Sequence, residues 1–299
     1  MKTSKKLVFF GNERLATGVI TTAPTLQALV SAGYDVAAVI ASFSPGIGRS
    51  ARNLEVADLA QRYDIPVLLP EKVDDIVSEI RRLQPEIGVL VAFGQIIPQA
   101  VIDIFPKGIV NIHPSLLPKY RGPTPIEAAI LDGLETTGVS LMSLVSKMDA
   151  GPIYAQAKIA IDKNDTKQSL ANKLLLSGSR IMLEELPGIL DGTTFGINQD
   201  DSAASYSFRI NKADGRISWQ DSPESIKRKV LAYAGWPKAR ATIFDKEVVI
   251  LEARVARNKS DGDLVIECRG GFLEILRLTA PSGRNLSGAE FIRGYSPRS

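Results

Sequence analysis

The chain has 299 residues, 44% of them hydrophobic and 23% charged, with one histidine, one cysteine and a formal net charge of +3. That length exceeds what one core usually organises, so two domains are expected, and no apolar run nears the roughly 18 residues that span a bilayer. The charge is uneven: residues 207–299 carry 17 Lys and Arg against 11 Asp and Glu, or +6, which leaves 19 against 22, or −3, for residues 1–206.

In chain order, the apolar run 7–10 follows a basic start but is too short for the apolar core of about 7–15 residues in a signal peptide, so it reads as a first strand ending at Gly11. A cytoplasmic location is the expectation. A helix over 24–32 has Pro24 in its first turn and Gly33 after its end. A second strand over 35–40 leads into a Ser-, Gly- and Pro-rich loop that carries Arg49 and Arg52 and no acid. Helical periodicity covers 54–63 and 73–83, with a short strand at 67–69 between them. The continuous apolar run 87–92 has the character of a strand buried on both faces, at the centre of a parallel sheet. It opens into the turn Phe93-Gly94-Gln95-Ile96-Ile97.

Residues 109–112 alternate as a strand, and Pro114, Pro118, Gly122 and Pro123 then forbid regular structure. Asn111 and His113, two residues apart near the strand's end, face the same side as a prospective hydrogen-bonding pair. A helix over 125–131, strands over 139–145 and 153–161, and a helix over 166–190 complete residues 1–190, with Asp165 or Thr166 as the last helix's N-cap. Alternation of strands and helices makes this a doubly wound α/β domain with a mostly parallel sheet, whose site lies beyond the carboxyl ends of its strands. Residues 191–206 have linker composition. In 207–299, a helix over 223–232 precedes short strands over 239–244, 247–256, 263–267 and 272–278, the pattern of a small barrel. Cys268 sits in one of these strands as a buried thiol.

No G-x-G-x-x-G follows a strand, and neither a Walker A sequence nor a G-x-S-x-G occurs, which disfavours nucleotide enzymes and serine hydrolases. One histidine and one cysteine without clustered acids argue against a catalytic transition metal. Near the strand tips stand an amide, Asn111, an imidazole, His113, and a carboxylate, Asp149, in the turn after the 139–145 strand. This set suits acyl transfer to an amine without a protein nucleophile. The amide and imidazole stabilise an oxyanion, and the carboxylate orients the ring and relays a proton. The same spacing also fits a strand-end histidine satisfied by backbone and an aspartate that only makes a turn.

The segments 111–122, Asn-Ile-His-Pro-Ser-Leu-Leu-Pro-Lys-Tyr-Arg-Gly, and Met148-Asp149-Ala150-Gly151-Pro152 resemble the signature of the 10-formyltetrahydrofolate-dependent formyltransferases. That resemblance implies catalytic roles for Asn111, His113 and Asp149. It places Ser115, Leu116, Leu117 and Pro118 along the folate, and Phe93, Gly94, Gln95, Ile96 and Ile97 at its pterin. Residues 206–219, 226–232, 235–237 and 288–294 resemble the linker and OB-like C-terminal domain of the family's methionyl-tRNA members. The implied partner is then initiator methionyl-tRNA, with the formyl group going to its α-amino group, and Arg49 and Arg52 reach the tRNA. The expected protein is a monomer, with 10-formyltetrahydrofolate as co-substrate and no metal. Gly11-Asn12-Glu13 and Pro123-Thr124 depart from the family's usual residues, which keeps a sugar-nucleotide N-formyltransferase as the alternative.

Overall fold

Strands rich in apolar residues bury both faces, and here they build one sheet around β1 (Lys6–Gly11). The computed structural model describes residues 5–42 and 54–297. The chain forms two compact units: one holds the chain up to Pro125 with Thr136–Ala160 and Ala171–Ser207, the other Ile126–Glu135, Ile161–Leu170 and the chain from Phe208.

After β1 come α1 (Pro24–Ser31), β2 (Asp35–Ile40), α2 (Glu55–Arg62), β3 (Val67–Leu68), α3 (Val77–Leu83) and β4 (Ile87–Val91). Then follow α4 (Gln99–Ile102), β5 (Ile109–His113), α5 (Pro125–Leu131), β6 (Thr136–Ser143), β7 (Ile153–Ala160) and α6 (Lys167–Asp191). The sheet order is β3-β2-β1-β4-β5-β6-β7, parallel from β3 through β5 and antiparallel at β5–β6 and β6–β7. All residues of β4 and β5 are buried, as a central position requires. The strand order reverses between β1 and β4, and ligands of such sheets bind outside the carboxyl ends near that crevice. Against β4 and β5 packs a core of Phe10, Ile40, Ile80, Phe93, Val101 and Phe105, in which Phe10 meets Phe93 and Phe105 edge to face at 5.6 and 5.8 Å.

The helix expected over 73–83 starts as a 3-10 turn, Val73–Ile76, before α3 begins. Asp75 accepts from the Lys72 N–H at 3.1 Å and so caps that turn. The strand expected over 139–145 runs earlier, as Thr136–Ser143, because its antiparallel register with β7 begins at Thr136 opposite Ala160. Residues 191–206, read as linker from composition, belong to the first unit and are hydrogen-bonded to it: Ile197 exchanges two 2.8 Å backbone bonds with Ile153.

The second unit contains α7 (Pro223–Ala232), β8 (Ala239–Ile243), β9 (Lys246–Ala256), β10 (Val265–Cys268), β11 (Gly271–Thr279), β12 (Asn285–Ser287) and α8 (Gly288–Tyr295). The second domain, expected from its short strands as a small OB-like barrel, holds an antiparallel five-stranded sheet, ordered β10-β11-β9-β8 with β12 on β11. Ile226, Val230, Val248, Ile250, Leu273, Ile275 and Phe291 fill its core. Cys268 is buried there, and burial pushes its thiol up to about 11, the inert thiol the sequence predicts. This unit also buries an ion pair, Lys167 to Glu127 at 3.6 Å, with Lys167 donating to Trp236 O at 2.7 Å. Desolvation moves Lys167 down and Glu127 up, so the pair is a modest contributor to stability. Among the described residues no helix is long and apolar enough to cross a membrane.

Candidate active site

β5 ends at His113, and its period of two puts Asn111 and His113 on one face at the carboxyl end of the sheet, 6% and 5% exposed. The hydrogen-bonded pair expected between them is not formed. Same-face neighbours in a strand are about 6.7 Å apart along the backbone, and the imidazole turns toward other partners. Its Nε2 lies 3.0 Å from Tyr120 O and its Nδ1 3.7 Å from Asp149 Oδ1. Both ring nitrogens thus face oxygens, Nε2 at hydrogen-bond distance and Nδ1 beyond it.

Asp149 stands in the turn between β6 and β7 with φ +49°, and its Oδ2 accepts from the Gly122 N–H at 2.7 Å. Gly122 has φ +108°, and a Cβ there would lie 2.6 Å from Ser207 O, so glycine alone brings its N–H to that carboxylate. The loop after β5 therefore supplies one partner to His113 and one to Asp149. The structure brings the three residues predicted to be catalytic to one strand tip and the adjoining turn.

The nine residues assigned to folate divide by exposure. Ser115 and Leu117 are buried, with Ser115 Oγ donating to Lys119 O at 2.7 Å, while Leu116 and Pro118 are half-buried. Beneath them, Ser140 on β6 donates to Ser115 O at 2.6 Å and accepts from Leu117 N at 3.1 Å. Gln156 on β7 donates to Leu117 O at 2.9 Å and to Ser140 Oγ at 2.8 Å. In the turn after β4, Phe93 and Ile97 are core residues, Gln95 donates to Glu71 O at 3.2 Å, and Gly94 and Ile96 are exposed, Ile96 at 85%. Side chains of Phe93, Ile97, Ser115 and Leu117 point into the protein. Most backbone groups of 115–118 are bonded within the protein, and what the two segments present outward is Gly94, Ile96, Leu116 and Pro118. Arg49 and Arg52 lie outside the described residues.

Sequence reasoning missed the supports. Ser140 and Gln156 touch the motif segments through backbone groups, and Gln199 through two carbonyls and the Arg121 guanidinium, and a lone polar residue on a strand or in a polar stretch carries no periodic signal. Their polarity amid Leu-Met and Ala-Lys-Ile neighbours was the available clue for Ser140 and Gln156.

Comparison with known proteins places this geometry. The formyl transferase family model matches residues 8–186, and the model of the formyl transferase C-terminal domain matches residues 209–296. A methionyl-tRNA formyltransferase of Pelobacter propionicus is 34% identical over 304 residues, covering 97% of this chain and 93% of the relative. One from Chloroflexus aggregans is 35% identical over 307 residues, covering 97% of both. Among solved structures, an N-formyltransferase from Helicobacter canadensis, in complex with folinic acid and dTDP-3-aminofucose, shares the fold with a TM-score of 0.67 at 20% identity, over 94% of this chain and 97% of its own. HypX from Aquifex aeolicus in complex with tetrahydrofolic acid gives 0.68 at 19% identity, over 97% of this chain and 47% of its own. With both family domains matched in order and relatives of that name similar along nearly the whole length, the chain belongs to the methionyl-tRNA formyltransferase family.

Proposed function

We propose that the chain transfers the formyl group of 10-formyltetrahydrofolate to the α-amino group of methionyl initiator tRNA, with Asn111, His113 and Asp149 as its catalytic residues. The observation that carries the assignment is the His113 ring held between Tyr120 O and the Asp149 carboxylate, with the Asn111 amide on the same strand face. As the amine attacks the formyl carbon, its carbonyl oxygen takes negative charge. The Asn111 amide stabilises that oxygen, and His113 adds a ring N–H once the substrate displaces its contact with Tyr120 O. The attacking nitrogen must lose a proton, and Asp149, beside His113, is the base that takes it directly or through water. The C–N bond to the folate then breaks as the oxyanion collapses, and the folate nitrogen leaves with the proton that Asp149 took, so the base is restored and the protein forms no covalent intermediate. Ser115 to Pro118 and Phe93 to Ile97 line the donor, and Arg49 and Arg52 contact tRNA phosphates.

The test is formylation by purified protein with the folate donor and either methionyl-tRNA or an amino-sugar nucleotide as acceptor. Product with methionyl-tRNA, and a loss of about 10²-fold or more in His113→Ala and Asp149→Ala, is the expected result. Near-normal turnover in either variant would remove that residue from the catalytic set, and product with the sugar nucleotide alone would reassign the acceptor.

A further inference from the structure

We infer that Gln199 is a positioning residue, holding the Asp149 turn and the His113 loop in register from a segment that composition marks as a linker. The inference rests on the assignment of His113 and Asp149 above.

The Gln199 amide uses both of its ends. Nε2 donates to Asp149 O at 2.8 Å and to Gly151 O at 2.7 Å. Oε1 accepts from Arg121 Nε at 3.1 Å and Nη2 at 2.7 Å. Arg121 belongs to the loop that carries Tyr120 O and the Gly122 N–H, and it is fully buried. Its guanidinium also donates to Asp201 Oδ1 at 2.8 Å. The backbone repeats the connection: Arg121 N donates to Ser205 O at 2.9 Å, Ser207 N to Arg121 O at 2.7 Å, and Tyr120 N to Ser205 Oγ at 3.0 Å. The loop facing His113 and the turn bearing Asp149 are thus fastened to one stretch, 199–207, and Gln199 is the side chain that touches both.

Asp149 needs such a clamp. At φ +49° it occupies a left-handed conformation that residues other than glycine seldom adopt. Two residues on, Gly151 packs so closely that a Cβ would lie 1.8 Å from Ser143 O. The carbonyls of 149 and 151 are the groups that set which way the turn presents its carboxylate, and Gln199 fixes both. A glutamine is also the one common side chain of this length that gives hydrogens to two carbonyls and takes them from an arginine fork. Glutamate would serve Arg121 at least as well but would set an oxygen against both carbonyls. That difference separates positioning from anchorage.

The experiment compares full-length wild type with Gln199→Ala, Gln199→Glu, Asp149→Ala and the Asp149→Ala/Gln199→Ala double variant. For each, kcat and the KM for methionyl-tRNA and for the folate donor are measured, with the urea unfolding midpoint alongside. Gln199→Ala and Gln199→Glu should each lower kcat by about tenfold or more, as misplacement of a catalytic group does, with both KM values within about twofold. Gln199→Ala should cost less in the Asp149→Ala background than it does alone, since part of its effect runs through Asp149. Normal kcat in Gln199→Glu, a loss confined to KM, or losses that multiply in the double variant would each overturn the inference. Gln199→Glu keeps the Arg121 contact and the side-chain volume, so it reports even if Gln199→Ala does not fold. Near-normal turnover of Asp149→Ala is a separate result: it defeats the catalytic assignment itself, whatever Gln199 does.

Discussion

Asn111 and His113 share a strand face but differ in what holds them. The imidazole has Tyr120 O and Asp149 as fixed partners, so its orientation survives without substrate. Asn111 is held by its place in β5, between Leu90 on β4 and Met142 on β6, and in the proposed function its amide donates to the reacting oxygen. Asn111→Leu keeps the branched outline of the side chain among apolar neighbours and removes its polar end. The variant should therefore unfold within about 1 kcal/mol of wild type, yet lose about 10²- to 10³-fold in kcat, the range for one oxyanion donor. Urea unfolding with single-turnover formylation measures both, and an active Asn111→Leu protein would leave the oxyanion to His113 alone. At this scale the sequence was informative. Asn111, His113 and Asp149 stand in motif segments whose spacing is set by a strand and a tight turn. Gln199, Ser140 and Gln156 act on carbonyls and amides of other segments, and such partners have no fixed spacing to read.

The same limit governs the elements. Apolar runs announced the strands, and proline announced the starts of α1, α5 and α7, because those signals are local. What caps α1 is not local. Ala23 precedes it with no side chain able to accept, and the first-turn N–H groups of Thr25 and Leu26 instead donate to the two carboxylate oxygens of Glu13, each at 2.8 Å. Glu13 is 1% exposed, and desolvation outweighs those hydrogen bonds, carrying its carboxyl from 4.5 up to about 7. Between pH 4.5 and 7 the folded chain then keeps a proton that the unfolded chain has released. The stability that proton supplies is fully present below about pH 4.5, declines as pH rises to about 7, and is gone above it. The shift corresponds to a loss of roughly 3 kcal/mol across that window. Glu13→Gln cannot titrate, so its unfolding free energy should change less between pH 5 and pH 8 than that of wild type, measured by urea titration at both. Parallel pH dependences in the two proteins would show that Glu13 is ionised in the folded state throughout.

Over the whole molecule, the alternation of strand and helix was enough to predict a doubly wound sheet, and short strands with turn residues between them were enough to predict a second β-rich domain. The sheet's antiparallel end was not legible, since pairing direction depends on how β5, β6 and β7 are connected and not on their composition. Charge, by contrast, is read directly, and it divides the chain into residues 1–206 at −3 and residues 207–299 at +6. The two substrates should respond to that division differently. Transfer RNA is a polyanion whose binding releases counterions, so its KM should climb steeply with salt, by a log–log slope that grows with each phosphate contact. The folate donor makes few ionic contacts, and its KM should change little over the same range. Arg49→Ala and Arg52→Ala should each raise the KM for tRNA at low salt and flatten its salt dependence by about one phosphate contact, leaving kcat and the folate KM near wild type. Steady-state formylation from about 50 to 200 mM KCl resolves the two substrates. If neither arginine variant altered the slope, Arg49 and Arg52 would have no part in holding the nucleic acid, and if both KM values rose together, the salt effect would not report on tRNA phosphates at all.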